Sequence, residues 1–317
     1  MPQKVILDVD TGTDDAVALM CAALHPDLEL VAATTVNGNV EVQYCTDNSL
    51  RVFDHIGIPV PVYEGMASPL VRSDFPKARG DTASGAVHGR HLDIPAAKSR
   101  QQTQHAVDFL VDYYMSSAGT DTILVPTAPL TNIAAAIKRE PRIVDRIPAV
   151  YMMGGGHEIG NVTPSAEFNV WADPEAARVV FNSGLKNVTV VPLDATHRAL
   201  VSSEDCKRLR ALNTPAATAA ALFTEKRIEG YQIVFGENIG SAPVHDALAV
   251  LAIVDPGVLA SVVEVFVDVE TIGELTVGRT VLDTHNRLHK TPNARVALSA
   301  DQDRFVSLLI ETLARNT

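Results

Sequence analysis

Through its first 200 residues the chain alternates short apolar, β-branched runs with stretches of helical spacing, and that alternation limits the folds open to it. Val5–Val9, Leu28–Val36, Pro59–Tyr63, Asp121–Pro126, Ile147–Met153 and Val188–Leu193 read as strands. Between them, Ala16–Leu24, Val42–Ile56, Gln101–Met115 and a segment running to Lys138 read as helices. A further helix opens at Asp173, with Asp as N-cap and Pro174 in its first turn. Strand–helix alternation of this kind builds an open, mostly parallel α/β sheet with helices on both faces. The last third is less regular. It shows helical spacing at Ser203–Leu212, Pro215–Ile228, Val244–Val254 and Phe305–Ala314, and paired strand signals at Val262–Val269 and Thr276–Leu282. No internal repeat, low-complexity segment or linker divides the sequence, so a single domain over residues 1–317 is expected.

In such sheets ligands sit beyond the carboxyl ends of the strands. That singles out Asp10 to Asp15, Asn37, Asn39, Thr127, the segment after Met153, and Asp194. Asp10, Asp14 and Asp15 crowd the turn between the first strand and the first helix. Three carboxylates so close repel one another at neutral pH unless something positive lies among them. Water could solvate them on a surface loop; at the end of a buried strand a hard divalent cation held by oxygens is the better answer. A metal-assisted reaction is the expectation.

With 26 Lys+Arg against 38 Asp+Glu, the formal net charge is −12, without long blocks of one sign. That surface argues against nucleic acid or anionic membranes as partners, because both select basic patches. Cys21, Cys45 and Cys206 lie far apart and form no CxxC pair, which speaks against a disulfide framework or a zinc site and for a reducing compartment. The N-terminus enters its strand at once, leaving no room for a signal peptide, and no apolar run reaches membrane-spanning length. A cytoplasmic protein is expected.

Two further segments carry chemistry. In Asn161–Asp173, Glu167 and Asn169 alternate along what reads as extended chain, so they point the same way; with Asn161 they offer amides and a carboxylate suited to sugar hydroxyls. A polar loop with local turns is the competing reading. His245 and Asp246 open an apolar helix, where an Asp is also favoured simply by capping and the helix dipole. Other motifs fail on spacing. Gly12 breaks the Asp-x-Asp-x-Thr/Val pattern of haloacid-dehalogenase-like phosphatases, an EF-hand's closing Glu is missing, Gly154–Gly156 do not complete GxGxxG, and there is no GxSxG or P-loop.

Taken together, Asp10-Thr-Gly-Thr-Asp14-Asp15, Asn37-Gly-Asn39, Pro126-Thr127-Ala-Pro-Leu-Thr-Asn132, Met152-Met-Gly-Gly-Gly156, Ser165-Ala-Glu167-Phe-Asn169 and His245-Asp246-Ala resemble, in order, the signatures of the inosine–uridine-preferring nucleoside hydrolases. The resemblance implies calcium-dependent cleavage of the N-glycosidic bond of ribonucleosides to base and ribose, in nucleoside salvage. It implies a calcium ion held by the carboxylates of Asp10, Asp15 and Asp246 and the carbonyl of Thr127. It assigns Asp14, Asn39, Asn161, Glu167 and Asn169 to the ribose hydroxyls, with Met153 lining the sugar pocket. Asp10 would be the base that activates water, His245 the leading proton donor to the departing base, and His88 a second contact to it. Members are commonly dimers or tetramers, so a homo-oligomer is expected.

The chain also departs from the pattern. Arg90-His91-Leu92 follows His88-Gly89 where relatives place small or acidic residues and a Gly-Leu pair. Purine-specific relatives stack the base between tryptophans, whereas Trp171, the sole tryptophan, looks like packing at a helix start. His245 before Asp246 resembles the broad or pyrimidine-preferring members, and Tyr231 and Gln232 are candidate base contacts or simply a surface helix. No basic cluster is evident to hold a phosphate, which favours nucleosides over nucleotides. Two alternatives stand beside a nucleoside hydrolase: a hydrolase of a modified ribosyl compound, and a non-catalytic nucleoside or ribose sensor.

Overall fold

The computed structural model describes residues 1–73, 75, 88–235 and 240–315, so part of the polar stretch between Gly65 and Arg100 lies outside the described residues. Its strands, in chain order, are β1 (Gln3–Val9), β2 (Leu28–Thr35), β3 (Val62–Glu64), β4 (Thr122–Pro126), β5 (Val150–Met153), β6 (Val188–Val191), β7 (Leu200–Ser202), β8 (Ser241–Pro243), β9 (Leu259–Val265), β10 (Val267–Val269), β11 (Thr280–Leu282) and β12 (Ala294–Ala300). The α-helices are α1 (Thr13–Leu24), α2 (Val42–Ile56), α3 (Ala106–Met115), α4 (Thr131–Arg139), α5 (Phe168–Ala172), α6 (Pro174–Phe181), α7 (Leu193–Thr196), α8 (Ser203–Ala211), α9 (Pro215–Phe235), α10 (His245–Val254) and α11 (Gln302–Leu313).

The central sheet has eight strands in the order β3-β2-β1-β4-β5-β6-β12-β9, parallel throughout except for β9 at its edge. Side chains along β1 alternate between the two faces: Val5, Leu7 and Val9 join one apolar cluster with α1, α2, α9 and α10, while Ile6 joins another with α3, α4 and α6. Helices therefore cover both faces, as the alternating sequence predicts. Among the described residues no helix is long and apolar enough to cross a membrane.

The strand order reverses at β1. The chain steps outward through β2 and β3, returns to lay β4 on the other side of β1, and steps outward again through β5 and β6. Crossovers leave β1 and β4 in opposite directions, which opens a crevice beyond their carboxyl ends. Asp10 and Thr127 are the residues that emerge there, and Thr127 N donates to Asp8 O at 2.9 Å to lock the two strand ends together. Below them Asp8, wholly buried, accepts from Thr34 Oγ1 at 2.6 Å and Asn132 Nδ2 at 2.8 Å, tying β1 to β2 and α4.

Four details differ from the sequence reading. Helix α1 begins at Thr13 rather than Ala16, so Asp14 and Asp15 belong to its first turn; Asp15 Oδ2 accepts from Gly12 N at 3.0 Å and stabilises that start. Helix α3 begins at Ala106 rather than Gln101, where His105 Nδ1 caps Val107 N at 3.2 Å. The strand signals at Val262–Val269 and Thr276–Leu282 do not simply pair. Leu259–Val265 instead pairs antiparallel with β12, and only Val267–Val269 pairs with Thr280–Leu282. Glu167 and Asn169 do not share an extended run: Glu167 is extended but is the N-cap of α5, and Asn169 is inside that helix.

Candidate active site

Four carboxylates meet in the crevice. One oxygen each of Asp14, Asp15 and Asp246, all buried, lies within 4.8 Å of the others. Asp10 is drawn into the same group electrostatically. Its carboxyl is pushed well above the usual range, first by burial and then by the Asp15 charge. Burial likewise raises Asp246, helped by Asp14, Asp15 and Asp10, and carries Asp15 up to about 7. Each side chain is aimed by its backbone context. Asp10 Oδ2 accepts from Asn39 N at 2.6 Å; a Cβ on Gly38 would sit 1.9 Å from that oxygen, so the Asn37-Gly-Asn39 turn needs its glycine for this approach. Asp15 Oδ1 accepts from Thr127 Oγ1 at 3.0 Å and its Oδ2 from Asn39 Nδ2 at 3.3 Å.

This donor set suits a hard cation. The ligand atoms are oxygens, and the crowded carboxylates repel unless a positive charge joins them. Asp10 Oδ1 is buried without any hydrogen-bond donor, which is costly unless a ligand or water meets it. Asp10, Asp15 and Asp246 with the Thr127 carbonyl could hold a divalent ion, and Asp14 lies within reach of the same position. The crowding has a measurable consequence. Asp8, Asp15 and Glu167 are all raised by burial to about 7, so folding favours their protonated forms. The stability this contributes is complete below their unfolded values near 4 and is lost as pH rises through 7. Calorimetry on chelator-treated protein should show a melting temperature that falls from pH 5 to pH 8, and added divalent cation should restore more of it at pH 8 than at pH 5.

The polar groups expected to meet a sugar lie on the neighbouring strand ends. Asn169 Nδ2 donates to Thr127 O at 3.0 Å and to Met153 O at 3.3 Å, bridging the ends of β4 and β5. Glu167 accepts from Asn169 N at 2.9 Å, Gly155 N at 2.7 Å and Val170 N at 3.2 Å. Asn161 Oδ1 accepts from Phe168 N at 3.0 Å and so holds the approach to α5. Met153 is buried at the end of β5. Trp171 is buried among Phe75, Phe168 and Ala172, and so serves as packing. Asp194 is committed elsewhere: it accepts from His157 N and Glu158 N and fixes the loop after Gly156.

On the opposite side, His245 Nδ1 lies 2.7 Å from Thr196 Oγ1 and its Nε2 3.0 Å from Tyr231 Oη. Burial, and then the Arg227 charge, holds the His245 imidazole well below its ordinary pKa, so it is neutral at pH 7. His88 accepts from Thr13 N through Nδ1 at 3.1 Å and turns Nε2 toward Asp14 Oδ1 at 3.9 Å. It sits so close to Gly12 that a Cβ there would be 2.1 Å from Nδ1. The structure thus brings together Asp10, Asp14, Asp15, Asn39, His88 and Asp246, and lines the adjoining strand ends with Thr127, Met153, Glu167 and Asn169.

Sequence reasoning missed Arg227, Thr196 and the tyrosine–histidine contact. Arg227 is 3% exposed, and its Nη1 lies 2.9 Å from Asp14 Oδ1. The signal was present: Phe223, Arg227 and Tyr231 recur at fourfold spacing, which places a charge in the buried stripe of a helix.

Comparison with known proteins accords with this geometry. The family model described as "Inosine-uridine preferring nucleoside hydrolase" matches residues 5–307. The enzyme of that name from Leishmania major is 43% identical over 99% of this chain and 98% of its own. The pyrimidine-specific ribonucleoside hydrolase RihB of Escherichia coli is 38% identical over 98% of this chain and 96% of its own. Among solved structures, the purine-preferring ribonucleoside hydrolase from Gardnerella vaginalis superposes with a TM-score of 0.90 at 34% identity, covering 98% of each chain.

Proposed function

Because the chain belongs to the inosine-uridine preferring nucleoside hydrolase family, we propose that it is a calcium-dependent, cytoplasmic ribonucleoside hydrolase, a single domain over 1–317 with broad or pyrimidine- and inosine-leaning base preference. Membership makes it a nucleoside hydrolase; the ion, the location and the base preference are the added reading. The observation that carries it is the buried cluster of Asp14, Asp15 and Asp246 at the point where the strand order reverses, with Asp10 tied to it through Asn39 and Asn169 bound to the Thr127 carbonyl beside it. The three cysteines are buried and none forms a disulfide, in keeping with a reducing compartment.

The reaction replaces the C–N bond between sugar and base with a C–O bond from water. Positive charge builds on the anomeric carbon and ring oxygen as the base leaves with the bonding pair. A crevice lined with carboxylates stabilises that charge more than it stabilises the neutral ground state. Calcium, held by Asp10, Asp15, Asp246 and the Thr127 carbonyl, would supply positive charge that orients the ribose diol and the attacking water. Asp10 takes the water's proton at Oδ1, the oxygen with no donor among the described residues, while Asn39 N keeps Oδ2 fixed. Asp14 and Asn169 align the sugar hydroxyls and Glu167 holds the segment that carries Asn169. The Tyr231–His245 pair, with its two polar atoms 3.0 Å apart, gives the departing base its proton in this reading. His88, beside Asp14, closes the same side.

Ribose release from inosine, uridine, cytidine, adenosine and guanosine tests the proposal. Hydrolysis that a chelator abolishes and calcium restores is the expected result, and the ranking of rates gives the base preference. Silence across the panel with calcium present would overturn it in favour of a modified substrate or a sensor.

A further inference from the structure

We infer that Arg227 is a positioning residue that reserves Asp14 for the substrate by withholding it from the metal. Asp14 has two possible employments. One of its oxygens lies within 4.8 Å of oxygens from Asp15 and Asp246, close enough for all three to share one ion. Its Oδ1 also lies 2.9 Å from Arg227 Nη1. Asp14 could serve both only by dividing its two oxygens, and the guanidinium on Oδ1 biases the side chain's orientation and charge away from a shared ion. Arg227 is 3% exposed and braced at three points: Nη1 reaches Asp14 and, at 3.3 Å, Thr13 Oγ1, while Nε donates to Pro243 O at 2.8 Å. The last bond anchors it to the segment that leads into His245 and Asp246. The planar fork is thus held against α1 on one side and β8 on the other, and Asp14 is drawn toward α9.

Charge balance points the same way. Four buried carboxylates carry four negative charges, and a divalent ion offsets two. A buried guanidinium offsets a third while repelling the ion, which favours binding the metal through the remaining carboxylates and leaves Asp14 to accept from sugar hydroxyls. The inference rests on the hydrolase reading for the identity of the sugar. It rests on the structure alone for the competition between guanidinium and metal.

The test measures calcium affinity by titration calorimetry on the full chain, alongside kcat and KM for the best nucleoside of the panel. Arg227→Met and Arg227→Gln remove the charge, and either suffices if the other does not fold. Both are expected to bind calcium about tenfold more tightly, because a repelling charge is gone and Asp14 is free to join the ion. KM should rise about tenfold or more, with a smaller change in kcat, since a ground-state grip on the sugar is lost. Arg227→Lys, which keeps the charge, should return calcium affinity toward the starting value. Adding Asp14→Asn to Arg227→Met should erase the gain in affinity, a non-additivity that direct coupling requires. Calcium affinity that falls or stays level in the neutral variants would overturn the inference, because a purely structural brace loosens the metal site when removed. If the unsubstituted chain hydrolyses no nucleoside, the functional reading fails separately, and the calcium arm still decides the role of Arg227.

Discussion

Asp10→Asn is expected to lower kcat by about 10²–10⁴-fold, the range lost with a positioned general base, while raising the melting temperature of the metal-free protein at pH 8. The two effects have one cause. Asp10 is buried at the strand end, its Oδ1 meets no donor, and neighbouring carboxylates add to the cost of its charge. Asparagine is nearly isosteric and keeps an oxygen for Asn39 N. It removes one of four crowded negative charges and replaces the orphaned oxygen with an amide nitrogen beside carboxylate acceptors. A group whose charge is costly to bury is therefore the one the proposed chemistry uses as its base. Differential scanning calorimetry with and without calcium, beside steady-state kinetics, reads both signs. Full activity would remove Asp10 from the role of base. A lower melting temperature without metal would mean that the Asn39 contact outweighs the repulsion.

The half of the site that surrounds Asp10 was legible in the sequence because its residues are contiguous. Asp10, Asp14 and Asp15 follow a strand of apolar residues, so position relative to the sheet could be read from pattern alone. The same holds for Thr127 after β4 and for Met153 at the end of β5. Strand β12 was not legible. Ala-Arg-Val-Ala-Leu-Ser-Ala lacks a β-branched run, and it becomes a strand by filling the slot between β6 and β9. Its insertion also explains why the strand signals at Val262–Val269 and Thr276–Leu282 do not form one hairpin. Arg227 failed to register for a different reason. It pairs with Asp14, 213 positions earlier in the chain, and helical spacing that puts a charge in a buried stripe does not name the distant partner that makes this tolerable. Glu167 and Asn169 do lie together, but not for the geometric reason read from the sequence. One caps a short helix and the other sits in its first turn, where the Glu167 carboxylate accepts from the Asn169 N–H.

Glu167→Gln should be far from conservative. Both carboxylate oxygens already accept backbone N–H groups, Oε1 from Asn169 and Oε2 from Gly155 and Val170. An amide must turn its NH₂ toward one set of these donors, and the cheaper orientation leaves Asn169 N unpaired in the interior, at a cost of about 1–3 kcal/mol. The damage then spreads, because Asn169 Nδ2 holds the carbonyls of Thr127 and Met153 at the ends of β4 and β5. A fall in kcat/KM of about 10²-fold or more is expected, as a displaced sugar contact loses transition-state alignment. The pH dependence of stability gives the sharper test. Burial raises Glu167 to about 7 despite three N–H donors, so its contribution to stability is complete below an unfolded value near 4.5 and is lost as pH rises through 7. Glutamine does not titrate. The stability deficit of the variant, followed by chemical denaturation, should therefore be largest near pH 5 and shrink toward pH 8. A deficit that grew with pH would show that the N–H donors, and not burial, set the ionisation of Glu167, and that the carboxylate form is the one the fold is built to hold.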